Sequence, residues 1–218
     1  MIFLQDTTIQ INHAESVFDI ILKAGWILIP ILLMSIIAVY FIIERFTLIG
    51  SVLKIDKGVI DNICNLIRQK DYKGAGNLGK NYHHPLGRII ATGLENPDLS
   101  VKDIEQIMSE EAKSEAFLLE KNLSYIGIIA SIAPMFGFLG TIFGVIKIFY
   151  NISLADNISI GIIAGGLYQK MVSSASGLTV GIIAYAGFYY LNTMIDNFVH
   201  RNEKSLTRVM NAVKENKA

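Results

Sequence analysis

Residues 126–144 read IGIIASIAPMFGFLGTIFG, and the fold turns on how that stretch is read. It is apolar enough to sit in lipid. Yet it carries Ser131, Pro134, Gly137, Gly140, Thr141 and Gly144, which a purely lipid-facing anchor does not need. At about 100° per residue, Pro134, Gly137, Thr141 and Gly144 share one helix face. Small faces let membrane helices approach closely, because lipid tails give helices no hydrophobic drive to meet. The stretch therefore reads as a helix buried in a membrane bundle. Pro134, Gly137, Gly140 and Gly144 are its packing positions, and Thr141 offers a hydroxyl to a neighbour.

Composition agrees. Of 218 residues, 52% are hydrophobic and 17% charged, and the mean hydropathy is +0.45, which excludes an ordinary soluble domain. The net charge is zero, and no nucleic-acid partner is expected. Cys64 is the single cysteine, so an internal disulfide is impossible. In a charged stretch assigned to the cytoplasm, it is expected as a free, reduced thiol. There is no repeat of fixed period and no low-complexity segment.

Working outward, residues 1–24 read as a periplasmic segment. Residues 1–12 lack the basic start of a cleaved signal peptide, so the mature chain is expected to keep them. In residues 14–24, Val17, Phe18, Ile21 and Leu22 oppose Glu15, Asp19 and Lys23. That pattern fits an interfacial amphipathic helix or the first turns of the next helix. Residues 25–45 form the first transmembrane helix. Gly25–Ile43 carries no charge, and its 19 residues span about 28 Å against a hydrocarbon core of about 30 Å. Pro30 sits near its start, Trp26 and Tyr40 near its ends, and Glu44 and Arg45 close it.

Residues 46–122 read as a cytoplasmic helical region. Val52–Gln69 has helical spacing, Asp71–Gly79 is glycine-bearing and turn-like, and 82–94 forms a short helix. Asn96-Pro97-Asp98 is a break. Ser100 and Asp103 resemble a capping box that opens a new helix. No glycine or proline interrupts residues 98–126, so this helix is expected to continue into the second span as one rod. The second transmembrane helix is 123–150, the periplasmic loop 151–161 and the third transmembrane helix 162–196. Residues 197–218 form a cytoplasmic helix with Leu206, Val209 and Val213 at helical spacing. Lysines and arginines set the orientation. One precedes the first span, 11 lie from Arg45 to Lys121, none lies in the 151–161 loop and five lie in the tail. Basic segments stay inside, so the N-terminus faces out and the C-terminus in.

The fold class is thus an all-α membrane protein with three transmembrane helices and long cytoplasmic helical extensions. In the third span, Lys170, Ser173, Ser174, Gly177, Gly181 and Ala184 share a face, and Gln169, Ser176 and Thr179 form a second polar edge. Facing hydroxyls are either packing glue or the lining of a polar path for ions. A proton path needs a titratable group at membrane depth. Lys170 is the group considered, and it lies near enough to the outer end to snorkel. The carboxylate of such a path would have to come from another chain. No enzyme is expected. Ala175-Ser176-Gly177 lacks a base, since none of His13, His83, His84 or His200 lies in a span. His83-His84 reads as a surface pair rather than a metal site. No cofactor or metal is expected, and no phosphate-binding glycine loop occurs.

The run 132–145 (IAPMFGFLGTIFGV) resembles the "APLLGLLGTVxGM" signature of the MotA/TolQ/ExbB proton-channel family. Residues 163–167 and 173–178 resemble that family's "IAxGIxxALxTTAxGL" segment. Three spans and an outward N-terminus are most like its ExbB and TolQ members, ExbB above all. The resemblance implies a homopentamer in the inner membrane of a Gram-negative bacterium, in contact with membrane lipids. It also implies an ExbD- or TolR-like single-span partner carrying a membrane aspartate, and a TonB-like protein to be energised. Thr141 matches the threonine of the family's GT pair, and Ser174 matches its second pore threonine, with Ser173 beside it. Gln169 stands where glutamate is frequent, and its amide cannot titrate. Lys170 replaces a small residue. The resemblance also admits a TolQ-like stator for envelope or gliding work, and the residues alone admit a non-conducting scaffold.

Overall fold

The computed structural model describes residues 26–154 and 160–217, apart from the side chains of Ile162 and Gln169. Among them are seven helices and no strand: α1 (Leu28–Val52), α2 (Lys57–Arg68), α3 (Tyr72–Asn81), α4 (Pro85–Gly93), α5 (Val101–Glu120), α6 (Leu123–Ser153) and α7 (Ile160–Lys217). Three of them, α1, α6 and α7, are long and apolar enough to cross a membrane. The expected class agrees with what is observed: an all-α chain, among the described residues, with three helices long and apolar enough to cross a membrane and with helical extensions. The amphipathic helix read into residues 14–24 and the centre of the 151–161 loop lie outside the described residues.

The chain divides into two compact units, one taking in residues up to Ile36 with Ile129–Ile183, the other Ile37–Ile128 with Ala184 onward. In the first, α6 and α7 pack antiparallel: Gly144 meets Lys170, Gly137 meets Ser173 and Ser174, and Pro134 meets Gly181. Their other faces expose Phe138, Phe143, Met171, Leu178 and Ile182. Such surfaces suit lipid, where every backbone group is already satisfied within its helix.

In the second unit, α2, α4, α5 and the end of α7 enclose one apolar core. It is built from Ile60, Ile63, Ile67, Leu86, Ile89, Ile90, Ile104, Met108, Val209 and Val213. Of the residues read at helical spacing in 52–69 and 206–213, Ile63, Ile67, Val209 and Val213 are buried in this core, and Ile55, Val59, Leu66 and Leu206 pack half-buried against it. Arg88 joins α4 to α5 through a two-pronged pair with Glu115, at 2.5 and 2.6 Å. Glu115 is only 5% exposed, and the guanidinium compensates its buried charge.

Helix ends explain where the structure departs from the sequence reading. First, α1 continues past Arg45 to Val52, so Val52 does not begin the next helix. Arg45 is tolerated inside it because its guanidinium donates to Leu118 O at 3.3 Å and pairs with Glu44. The following helix starts instead at an Asp56 cap, whose Oδ1 accepts from Gly58 N–H at 2.8 Å. Second, Asp71–Gly79 is not a turn but most of α3. Asp71 caps it through Gly74 N–H at 2.8 Å. Its glycines serve packing, since a Cβ on Gly79 would come within 2.9 Å of Gly87 O on α4. Third, the helix from Val101 does not run on into the second span. It stops at Glu120, and Asn122 adopts φ 70°, a left-handed conformation that asparagine tolerates. The Ser100–Asp103 cap is present as expected, with Ser100 Oγ accepting from Asp103 N–H at 3.2 Å.

Candidate functional site

The site is the seam where α6 and α7 meet, and small residues create it. A Cβ on Gly177 would lie 2.5 Å from Ala133 O and 2.9 Å from the Gly137 Cα, so the two backbones touch there. A Cβ on Gly137 would stand 3.0 Å from Ser174 O, and one on Gly181 would run into the Pro134 ring. Gly140 receives Ile27, which precedes α1, and the Cβ of Ser173. Gly144 receives the stem of Lys170. The four residues of α6 read as packing positions, Pro134, Gly137, Gly140 and Gly144, therefore lie on this seam, and Gly177 and Gly181 of α7 face them. Pro134 removes one hydrogen bond from the interior of α6, and its ring occupies the space left by Gly181 on α7.

The hydroxyls fall into two groups. Thr141 Oγ1 lies 3.2 Å from Gly137 O and 3.4 Å from Lys170 O, one carbonyl on its own helix and one on α7. It has one proton for these two acceptors, and its oxygen keeps capacity to accept. Ser173 is fully buried in the seam and Ser174 half-buried beside it. The second polar edge is satisfied within its own helix. Ser176 Oγ donates to Val172 O at 2.9 Å and Thr179 Oγ1 to Ala175 O at 2.8 Å. Gln169 lies in α7, but its side chain is outside the described residues. The structure thus brings Thr141, Ser173, Ser174 and Lys170 together on one seam.

No aspartate, glutamate or histidine occurs in residues 26–43, 123–153 or 160–195. The seam can donate and accept hydrogen bonds, but it holds no carboxylate. Two ammonium groups lie toward the end of the helices near Ser153 and Ile160: Lys170, half-buried against Gly144, and Lys147, exposed on α6. The sequence reading does not weigh Lys147, although its position inside an apolar run was the signal. It also gives no role to Ala133, whose carbonyl receives Gly177. The register of Gly137 and Pro134 around it was the available hint.

Outside the spans, His84 is not a surface residue. It is 4% exposed, with Nδ1 accepting from Leu86 N–H at 3.1 Å and Nε2 2.8 Å from Val52 O. It caps α4, with Pro85 in the first turn.

Three membrane-length helices, with a hydroxyl-bearing, carboxylate-free seam between two of them, define a polytopic membrane protein built around close helix contact. Residues 81–204, more than half the chain, match the model of the MotA/TolQ/ExbB proton channel family, and the chain belongs to that family. It is similar to biopolymer transport protein exbB1 of Vibrio cholerae, 24% identical over 89% of this chain and 87% of that protein. An ExbB-like biopolymer transport protein 3 of Synechocystis is also 24% identical, over 74% of this chain and 78% of its own. The Tol-Pal system protein TolQ of Haemophilus influenzae is 23% identical over about half of each chain, 50% and 48%.

Proposed function

We propose that the chain is an ExbB-like subunit of a proton channel in a bacterial inner membrane. It transports ions and carries out no covalent catalysis. In this reading the N-terminus faces the periplasm and five copies form a ring. The α6 and α7 seams of these copies surround an ExbD- or TolR-like single-span partner. The partner supplies the membrane carboxylate, and the ring supplies Thr141 and Ser174 as hydrogen-bonding groups along its path. Proton entry through the complex then does work on a TonB-like protein and so energises outer-membrane transport.

The observation that carries this reading is the polar seam, with no acid or histidine in the apolar stretches 26–43, 123–153 and 160–195. A pathway of that composition is incomplete alone and complete with one foreign carboxylate. One charge crossing 100 mV releases about 2.3 kcal/mol, enough to bias a mechanical step. The similarity to TolQ supports a second reading, in which the same channel drives envelope work.

The test is proton flux into liposomes, first with this chain alone and then with its co-purified single-span partner. Flux that requires both chains, and is lost when the partner's membrane Asp becomes Asn, is the expected result. Intact complexes that conduct nothing would leave a scaffold instead.

A further inference from the structure

We propose that Lys170 is a fixed positive charge at the mouth of the seam, and that it sets the pH at which a carboxylate beside Thr141 takes up its proton. This rests on the channel reading above. The placement of the side chain carries it. A lysine that merely snorkels runs along its own helix toward the lipid headgroups. The Lys170 stem instead lies across α6, with Cγ, Cδ and Cε occupying the space where any side chain at position 144 would be. Gly144 is thus a built cradle for this lysine. Thr141 stands one turn from Gly144 on α6, roughly 5–6 Å away, and its hydroxyl reaches the Lys170 carbonyl at 3.4 Å. The ammonium stem and the hydroxyl occupy one seam.

Among the described residues, the other ionisable groups at this end are Lys147 and Tyr150 on α6 and Tyr168 on α7, all exposed, and residues 26–36 have none. Asp156, like His13, Glu15, Asp19 and Lys23 before the first span, lies outside the described residues. The half-buried Lys170, whose stem lies in the seam, is therefore less screened than the exposed Lys147. At roughly 7 Å and an effective dielectric of about 20, one unit charge moves an acid–base midpoint by about one to two pH units. A cation favours the ionised carboxylate, so its removal moves the midpoint upward.

The experiment measures flux through the full complex in liposomes as a function of external pH. It compares wild type, Lys170→Gln, Lys170→Arg and Lys147→Gln, each shown to assemble by size-exclusion chromatography. The expected result is a half-maximal pH raised by about one unit or more in Lys170→Gln, restored in Lys170→Arg and moved far less in Lys147→Gln. An unmoved midpoint in Lys170→Gln overturns the proposal and leaves the channel standing. Equal shifts in Lys147→Gln and Lys170→Gln also overturn it, because they describe a diffuse surface potential such as a lipid headgroup layer senses. Wild-type complexes without flux overturn the channel reading and this inference with it.

Discussion

At Thr141 a single hydroxyl spans two helices. Replacing it by valine keeps the shape and removes the proton. Flux through the complex is expected to fall roughly tenfold, the equivalent of one hydrogen bond of about 1.4 kcal/mol, with assembly intact. Full flux from Thr141→Val would remove Thr141 from the path. His84 is constrained differently. Its two partners, the Leu86 N–H and the Val52 carbonyl, require a neutral ring with the proton on Nε2. Burial pushes its pKa below the usual 6.5, with Arg88 adding to the effect and the Val52 carbonyl and Glu115 opposing it. The unfolded chain therefore takes up this proton first as pH falls. The stability due to His84 is complete above about pH 6.5 and declines below it, by at most about 1.4 kcal/mol per pH unit. Melting temperatures of the purified protein between pH 7.5 and 5.5 should fall more steeply for wild type than for His84→Asn, which keeps a capping side chain.

Helix existence was largely legible in the sequence, because apolar spacing and length are local properties. Helix ends were less so. The Ser100 cap announced itself, but α3 looked like a turn because its glycines were weighed as breakers. They are contact points, and nothing local reveals the opposing Gly87 carbonyl. The break at Asn122 is also tertiary, with Asn122 Nδ2 reaching Glu44 Oε2 at 3.5 Å from a different helix. At the end of α2, Lys70 takes φ 65°, and the N–H groups of Lys70 and Asp71 close back onto Ile67 O and Leu66 O. Glycine is the residue suited to that position. Lys70→Gly should stabilise the protein by about 0.5–1 kcal/mol, the left-handed strain relieved less the added unfolded-state entropy; an unchanged or lower melting temperature would count against that account. The seam answers to the opposite substitution. Gly177→Leu must part α6 from α7, costing about 1–3 kcal/mol or more. It should yield aggregated rather than monodisperse protein on size exclusion.

For the whole molecule, three apolar helices predict that the protein stays in the membrane pellet after an alkaline wash and leaves it only with detergent; release by alkali would contradict spanning. Of the candidate site, the hydroxyls and glycines were readable from their helical register. Which of them touch was not, because helical register is a property of each helix by itself and only the pairing of α6 with α7 sets Gly177 against Ala133 or Lys170 over Gly144. The missing acid was readable as well, since composition shows an absence as plainly as a presence. Cys64, the only cysteine, is 5% exposed, and burial raises its pKa above the ordinary thiol value. Thiolate is the reactive form, so this thiol is slow toward maleimides. The natural protein is therefore close to a cysteine-free background. A single cysteine placed at Leu154 or Glu110 reports by its labelling which side of the membrane it faces, and a spin label at position 170 reports on the seam alone.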